Sequence, residues 1–386
     1  METLPQLPED IIVNILSRLP VKYLIQLKCV SKPWLSLISD PQFAKLHLAQ
    51  SKKKSISQRV LLITVPLESA ACEASGDDLD DESKLIFELE YPVAMKKTPD
   101  SDELVGWLDL GGSCDGLICV VFEHERIFLW NPTIREALEL AKLRPFDRCG
   151  MFSYGLGYNS STDDYKVVRV ARPIFTVASN ETEVEVLELK TNIWRRIQGL
   201  QSGIEIEGEG IFLHGALHWL ASRQTGPKKI YIIVAFHMIE EKFYELVPIP
   251  DNIKETKHDL LILGISGDCL CLFDGCSYET VLEAWQLKEY GVKSSWTRLF
   301  SVHRETLHGP GCSVQYWEYA LCYTKTGKVV IDYDGRELVW YDPKEKTSKT
   351  FTPCNDRDCF LPAIYIESLV SPHCCYATNR HNDKDV

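Results

Sequence analysis

The hydrophobic positions of this chain change their period once, close to residue 57. Before that point apolar residues recur at helical spacing; after it they fall in short β-branched and aromatic runs cut by Gly, Asn, Asp and Pro. In "LPEDIIVNILSRLPVKYLIQLKCVSKPWLSLI", residues 7–38, the positions Ile11, Ile12, Ile15, Leu16 and Leu19 form one broad stripe. This predicts a helix over 8–19, opened by Pro8 with Glu9 and Asp10 at the positive end of its dipole and ended by Pro20. Leu24, Leu27 and Val30 predict a second short helix. Ser31 and Pro33 start a third carrying Trp34, Leu37 and Ile38, and Asp40 with Pro41 start a fourth carrying Phe43 and Leu46. A unit of about 45 residues has more apolar stripe than it can bury alone. Leaving it in water is costly at roughly 1.5–3 kcal/mol per aliphatic side chain. Pattern alone leaves two covers open, the rest of this chain or another protein.

From Arg59 onward a repeat is visible. A turn precedes an apolar strand in "CDGLICVVF", "HGALHWLA", "SGDCLCLF" and "KTGKVVIDY", and a second apolar strand follows each; a fifth copy begins at "GLGYNSSTDDYKVVRV". Aligned at Leu129, Val186, Ala235, Ala284 and Val339, the second strands lie 57, 49, 49 and 55 residues apart. A period near 50 with four strands per copy fits a β-propeller blade. Two strands are left over, "RVLLITVP" and "PAIYIESLVSP"; pairing the first with the last makes a sixth blade and removes the open edges. The expected fold is therefore a small all-α helical module followed by an all-β domain, a six-bladed β-propeller, with a β-sandwich or barrel as the alternative. Residues 73–84, "EASGDDLDDESK", are expected to be an acidic loop.

Composition narrows the function. The length of 386 residues fits two unequal units, and no apolar run approaches the roughly 18 residues of a membrane helix. The start lacks the basic and small-residue marks of a signal peptide, so the expected location is cytoplasmic or nuclear, and the 14 cysteines are expected to be free thiols. A net charge of −13 argues against nucleic acid as a partner and suits a basic one. Lys52 to Lys54, the one basic cluster, is expected to be solvated linker.

Catalytic chemistry is not expected. The chain has no Gly-x-Ser-x-Gly elbow, phosphate loop or zinc helix, and "GLGYNS" is too glycine-poor for a nucleotide. His214 and His218 would share a metal on a helix, but "FLHGALHWLA" is patterned as a strand, where residues four apart lie about 13 Å from each other. Cys269, Cys271 and Cys276 lack paired Cys-x-x-Cys spacing, and Cys374-Cys375 is an incidental pair. Asp163 and Asp164 serve a turn between strands. No metal, cofactor or catalytic residue is expected. Phe152, Tyr154, Tyr316 and Trp317 are aromatics for which a binding surface and the blade core are both open.

Leu7-Pro8, the Ile11–Leu19 stripe, Leu19-Pro20-Val21-Lys22, Leu24, Cys29-Val30-Ser31-Lys32 and Trp34 together resemble an F-box. "YGLGYNSSTDDYKVVRV", "NIWRRI", "LHWLA", "LKEYGVKSSWTRLF" and "YIESLVS" resemble the plant F-box-associated domain, a kelch-like interaction domain. Within that group the likeness is to immune regulators that restrain expression of pathogenesis-related genes, with pollen-side S-locus F-box proteins next. The resemblance implies a substrate-recognition subunit of a Skp-cullin-F-box ubiquitin ligase. Leu7, Pro8, Ile11, Ile12, Ile15, Leu16, Leu19, Pro20, Leu24, Leu27, Cys29, Val30 and Trp34 would dock a Skp-family adaptor, and through it a cullin, or form the module's core. Residues 1–47 are then the F-box module, 48–56 a linker, 57–372 the β domain, which would hold an unidentified target protein, and 373–386 a tail. The other readings are a propeller enzyme or ligand sensor with a site at its central channel, and a structural scaffold without an adaptor.

Overall fold

The computed structural model describes residues 8–54, 58–63, 67–72, 86–96, 108–122, 124–143, 150–173, 182–200, 203–226, 228–250, 253, 261–275, 281–303, 306–307, 318–324, 326–333, 335–352 and 360–373. Leu7, the acidic stretch 73–84, Cys276, Tyr316, Trp317 and Cys374-Cys375 lie outside the described residues.

Four helices come first: α1 (Glu9–Leu16), α2 (Val21–Leu27), α3 (Lys32–Ile38) and α4 (Pro41–Lys54). Two end differently from the sequence expectation. α1 stops a turn early, because Leu19 precedes a proline that disfavours helical backbone; Arg18 and Leu19 instead donate short-range turn bonds to Ile15 and Leu16. α4 runs on through residues 48–54, the stretch expected to be a polar linker. Residues 48–54 contain no proline or glycine, so nothing in them breaks the helix. The expected caps form: Ser31 Oγ accepts from Trp34 N at 3.3 Å, and Asp40 Oδ1 accepts from Gln42 N at 2.6 Å.

Twenty-four strands follow; among the described residues they pair into four four-stranded antiparallel sheets and one eight-stranded sheet, whose two antiparallel halves, the third and fourth units of four, join by a parallel bridge between Gly155 and Gly210. The first contains β1 (Gln58–Ile63), β2 (Leu67–Ala71) and β3 (Ile86–Leu89) and is completed by β24 (Leu361–Ile366) from the other end of the domain. The second holds β4 (Leu108–Cys114), β5 (Leu117–Phe122), β6 (Arg126–Asn131) and β7 (Glu136–Glu139). The third holds β8 (Gly150–Asn159), β9 (Asp164–Pro173), β10 (Glu183–Glu188) and β11 (Ile193–Ile197). The fourth holds β12 (Ile204–Leu213), β13 (Ala216–Thr225), β14 (Lys228–His237) and β15 (Lys242–Pro248). The fifth holds β16 (Leu261–Ser266), β17 (Cys269–Asp274), β18 (Val281–Leu287) and β19 (Trp296–His303). The sixth holds β20 (Glu318–Tyr323), β21 (Val329–Tyr333), β22 (Glu337–Asp342) and β23 (Thr347–Phe351).

The inner strands β4, β8, β12, β16, β20 and β24 lie each against the next, and β24 against β4, which makes the circuit closed and the domain β-propeller-type. Closure rests on the first strand pairing with the last, Arg59 opposite Tyr365 and Leu62 opposite Pro362. Arg59 Nε donates to Ser69 Oγ at 2.8 Å, and that hydroxyl meets Tyr365 OH at 2.8 Å, so β1, β2 and β24 share one buried polar link. Among the inner strands backbones approach closely: a Cβ on Gly112 would lie 2.5 Å from the Gly210 carbonyl, and one on Gly210 would lie 2.9 Å from Gly155 Cα. The clusters between units are aliphatic and aromatic, as "HWLA" and "CVVF" require when both sheet faces are covered.

Candidate functional site

The interior of the helical module is Leu16, Val21, Leu24, Ile38, Phe43 and Ala44, closed by Leu369 from the segment after β24. His47 on α4 is buried, and its Nε2 lies 2.8 Å from the Leu19 carbonyl, tying α4 to the link between α1 and α2. Burial lowers the His47 pKa, partly offset by that bond. Its Nδ1 is buried with no hydrogen-bond partner, as fits a neutral ring whose proton sits on Nε2.

This core sorts the stripe into two sets. Leu16 and Leu24 are fully buried, while Ile12, Leu19, Leu27 and Trp34 are half-buried against them. Pro8, Ile11, Ile15, Pro20, Cys29 and Val30 are exposed, with Ile15 at 50% and Val30 at 62%. Ile11 and Ile15 stand one helical turn apart on α1. Tyr23 on α2 and Leu35 on α3 are also exposed, and sequence reasoning passed over them. Their signal is phase: each is a large apolar residue out of step with the buried positions of its own helix, such as Val21 and Leu24 on α2. The α-helical unit therefore completes its core and still presents aliphatic and aromatic surface from three helices.

In the β domain the singled-out side chains are mostly interior. Tyr154 is buried on β8 and Phe152 half-buried beside it, a strand and not a loop, with the Arg169 guanidinium 5.7 Å from the Phe152 ring. His214 sits in the β12–β13 turn at φ 50°, while His218 is fully buried on β13. With His218 Nδ1 donating to the Ile211 carbonyl at 3.2 Å, Nε2 accepts from Tyr290 OH at 2.6 Å, and burial lowers the His218 pKa to about 4. Cys271 is buried on β17 with its thiol pushed up to about 12 by burial, and Cys29, Cys114, Cys119, Cys269 and Cys322 are likewise free thiols. Asp164 is buried and caps its turn, accepting from the backbone of Tyr165 and Lys190. Lys166 is buried between Glu241 at 2.6 Å and Glu188 at 3.3 Å, joining the third and fourth units. Among the described residues no three His, Cys, Asp or Glu side chains are grouped to hold a metal, and no helix is long and apolar enough to cross a membrane.

The class defined by this fold is a short helical module fused to a β-propeller-type domain. The F-box domain family matches residues 4–46, and the F-box associated beta propeller domain family matches residues 95–379. The chain is 30% identical to the Arabidopsis thaliana F-box protein CPR1, an alignment spanning 94% of this chain and 87% of that one. It is 28% identical to the Arabidopsis thaliana F-box/WD-40 repeat-containing protein 1, over 78% of this chain and 70% of the relative. The chain belongs to the F-box proteins that carry an F-box-associated β-propeller domain.

Proposed function

We propose that this chain is the substrate-recognition subunit of a Skp-cullin-F-box ubiquitin ligase, non-catalytic itself. Its helical module binds a Skp-family adaptor, and its β domain, with the six units as blades, holds a target protein. The observation that carries this reading is the helical module, whose core is complete while Ile11, Ile15, Tyr23, Val30 and Leu35 remain exposed. The F-box family match over residues 4–46 supports an adaptor protein as the cover for such a face. Catalysis is then positional, since holding a target lysine beside a ubiquitin-charged enzyme raises its effective concentration. The resemblance to the immune regulators makes an immune receptor the proposed target; expression confined to pollen would point instead to a style ribonuclease.

The adaptor test uses Ile11→Asp/Ile15→Asp in the full chain. Both residues are exposed on α1 and outside the helical core, so folding should hold, while burying two carboxylates in an apolar interface should weaken adaptor binding at least a hundredfold, on the order of 3 kcal/mol. Binding titrations with purified adaptor read this directly. Undiminished affinity in the double variant would remove α1 from the interface.

A further inference from the structure

α4 presents Lys45, Leu48 and Lys52 at spacings of three and four, which places them along one helix face. That face lies on the β domain. The Lys45 ammonium pairs with the Asp163 carboxylate, which also accepts from Tyr158 OH. Lys52 Nζ lies 2.5 Å from Asp115 Oδ1, and Tyr165 OH donates to the other oxygen of Asp115 at 3.2 Å. Leu48, buried between the two lysines, joins the cluster of Cys114, Leu117, Tyr165 and Val370.

The two aspartates occupy matching places. Asp115 is in the β4–β5 turn and Asp163 in the β8–β9 turn, the first-to-second-strand turns of neighbouring units, and both have left-handed backbone at φ 55° and 52°. One helix therefore spans two adjacent units with the same contact made twice. A third tie comes from the end of the chain: Asn131 Nδ2 donates to the carbonyls of Ser368 at 3.1 Å and Val370 at 2.8 Å. The intervening Leu369 enters the helical core and Val370 enters the β core.

The charges behave as partners. Burial alone would lower the Lys52 pKa, but the Asp115 charge and hydrogen bond outweigh it and the net direction is up; hydrogen bonds from Lys45 and Tyr158 hold Asp163 below the usual carboxylate range. Lys45 and Asp163 are partly in water, where an ion pair adds little stability and mainly fixes register. Leu48 and Leu369 supply burial, which is non-directional. Two pairs about 10 Å apart along the helix axis, by the rise of seven residues, define a direction where one pair would allow pivoting.

We propose that Lys45 and Lys52, with Asp163 and Asp115, are positioning residues that hold the helical module at one fixed orientation on the β domain. On the ligase reading, on which this proposal rests, that orientation sets where a bound target stands relative to the adaptor.

The test reads orientation without needing a target. A fluorescent donor and acceptor are introduced as non-natural amino acids at the exposed Lys22 on α2 and Lys242 on β15 of the full chain, and the distance distribution is measured. The unaltered pairs should give one narrow distance. Lys45→Glu/Lys52→Glu should lose it and broaden the distribution, and adding Asp163→Lys/Asp115→Lys to reverse both pairs should restore the narrow distance. Adaptor affinity should not change in any of these samples, nor should the thermal transition of the β domain in Lys45→Glu/Lys52→Glu, where that domain is unaltered. A distribution as narrow in Lys45→Glu/Lys52→Glu as in the parent would overturn the proposal, as would a broadened one that pair reversal fails to narrow. If the parent does not bind adaptor, the ligase reading fails, while the distances still decide whether the orientation is fixed by these pairs.

Discussion

At the scale of single residues, the buried histidines tie stability to pH. His218 is neutral in the folded chain because burial lowers its pKa to about 4, and His47 is shifted the same way. The unfolded chain takes up protons near pH 6.5, where the folded chain does not, so their stabilisation is complete above that pH and is lost as pH falls, for His218 down to about 4. For His218 the loss by pH 5 is about 2 kcal/mol, from 1.36 kcal/mol per pKa unit. Denaturant unfolding at pH 7 and pH 5 should show it, and His218→Gln should flatten the slope while lowering stability at pH 7 through the lost Tyr290 bond. An unchanged slope in that variant would assign the pH dependence to other groups.

At the scale of elements, each helix of the module is short, so its ends carry much of its definition. α4 matters most, because it contributes to the helical core through Phe43, Ala44 and His47 and to the β domain through Leu48. Its start depends on Asp40, whose carboxylate accepts from the backbone of Gln42 and Phe43. Asp40→Ala should cost about 1 kcal/mol, the ordinary value of an N-cap. Hydrogen exchange should then quicken in the first turn of α4 while β13 and β14, in the middle of the fourth unit, keep their protection.

At the scale of the whole molecule, closure joins residues three hundred positions apart. β24 pairs with β1 along its full length, and the segment after β24 fills both the helical core and the β core. A chain ending at residue 352 should therefore fail to fold cooperatively: it loses β24, bares the edge of β1 and empties the place of Leu369. The expected result is aggregation or an uncooperative thermal scan. A sharp transition matching the full chain would show that the first unit is stable with three strands.

The sequence by itself determined what local chemistry determines. The switch of period at residue 57, the caps at Ser31 and Asp40, and the turns around Asp115 and Asp163 follow from side-chain spacing and turn residues, which act over a few positions; the pairing of the first strand with the last follows instead from the two strands the repeat leaves over and their open edges. The F-box strings were legible for the same reason, being contiguous. Tertiary structure alone decided which stripe residues are core and which are surface. Leu16 and Ile15 are neighbours of equal hydrophobicity, and only the arrival of α2, α4 and Leu369 buries one and leaves the other in water. Lys52, expected in a solvated linker, is exposed, but it lies on a helix with its ammonium on Asp115, a partner 63 positions away. Periodicity reports that a face is apolar or charged; what meets that face depends on contacts between distant segments, and those exist only once the chain has closed.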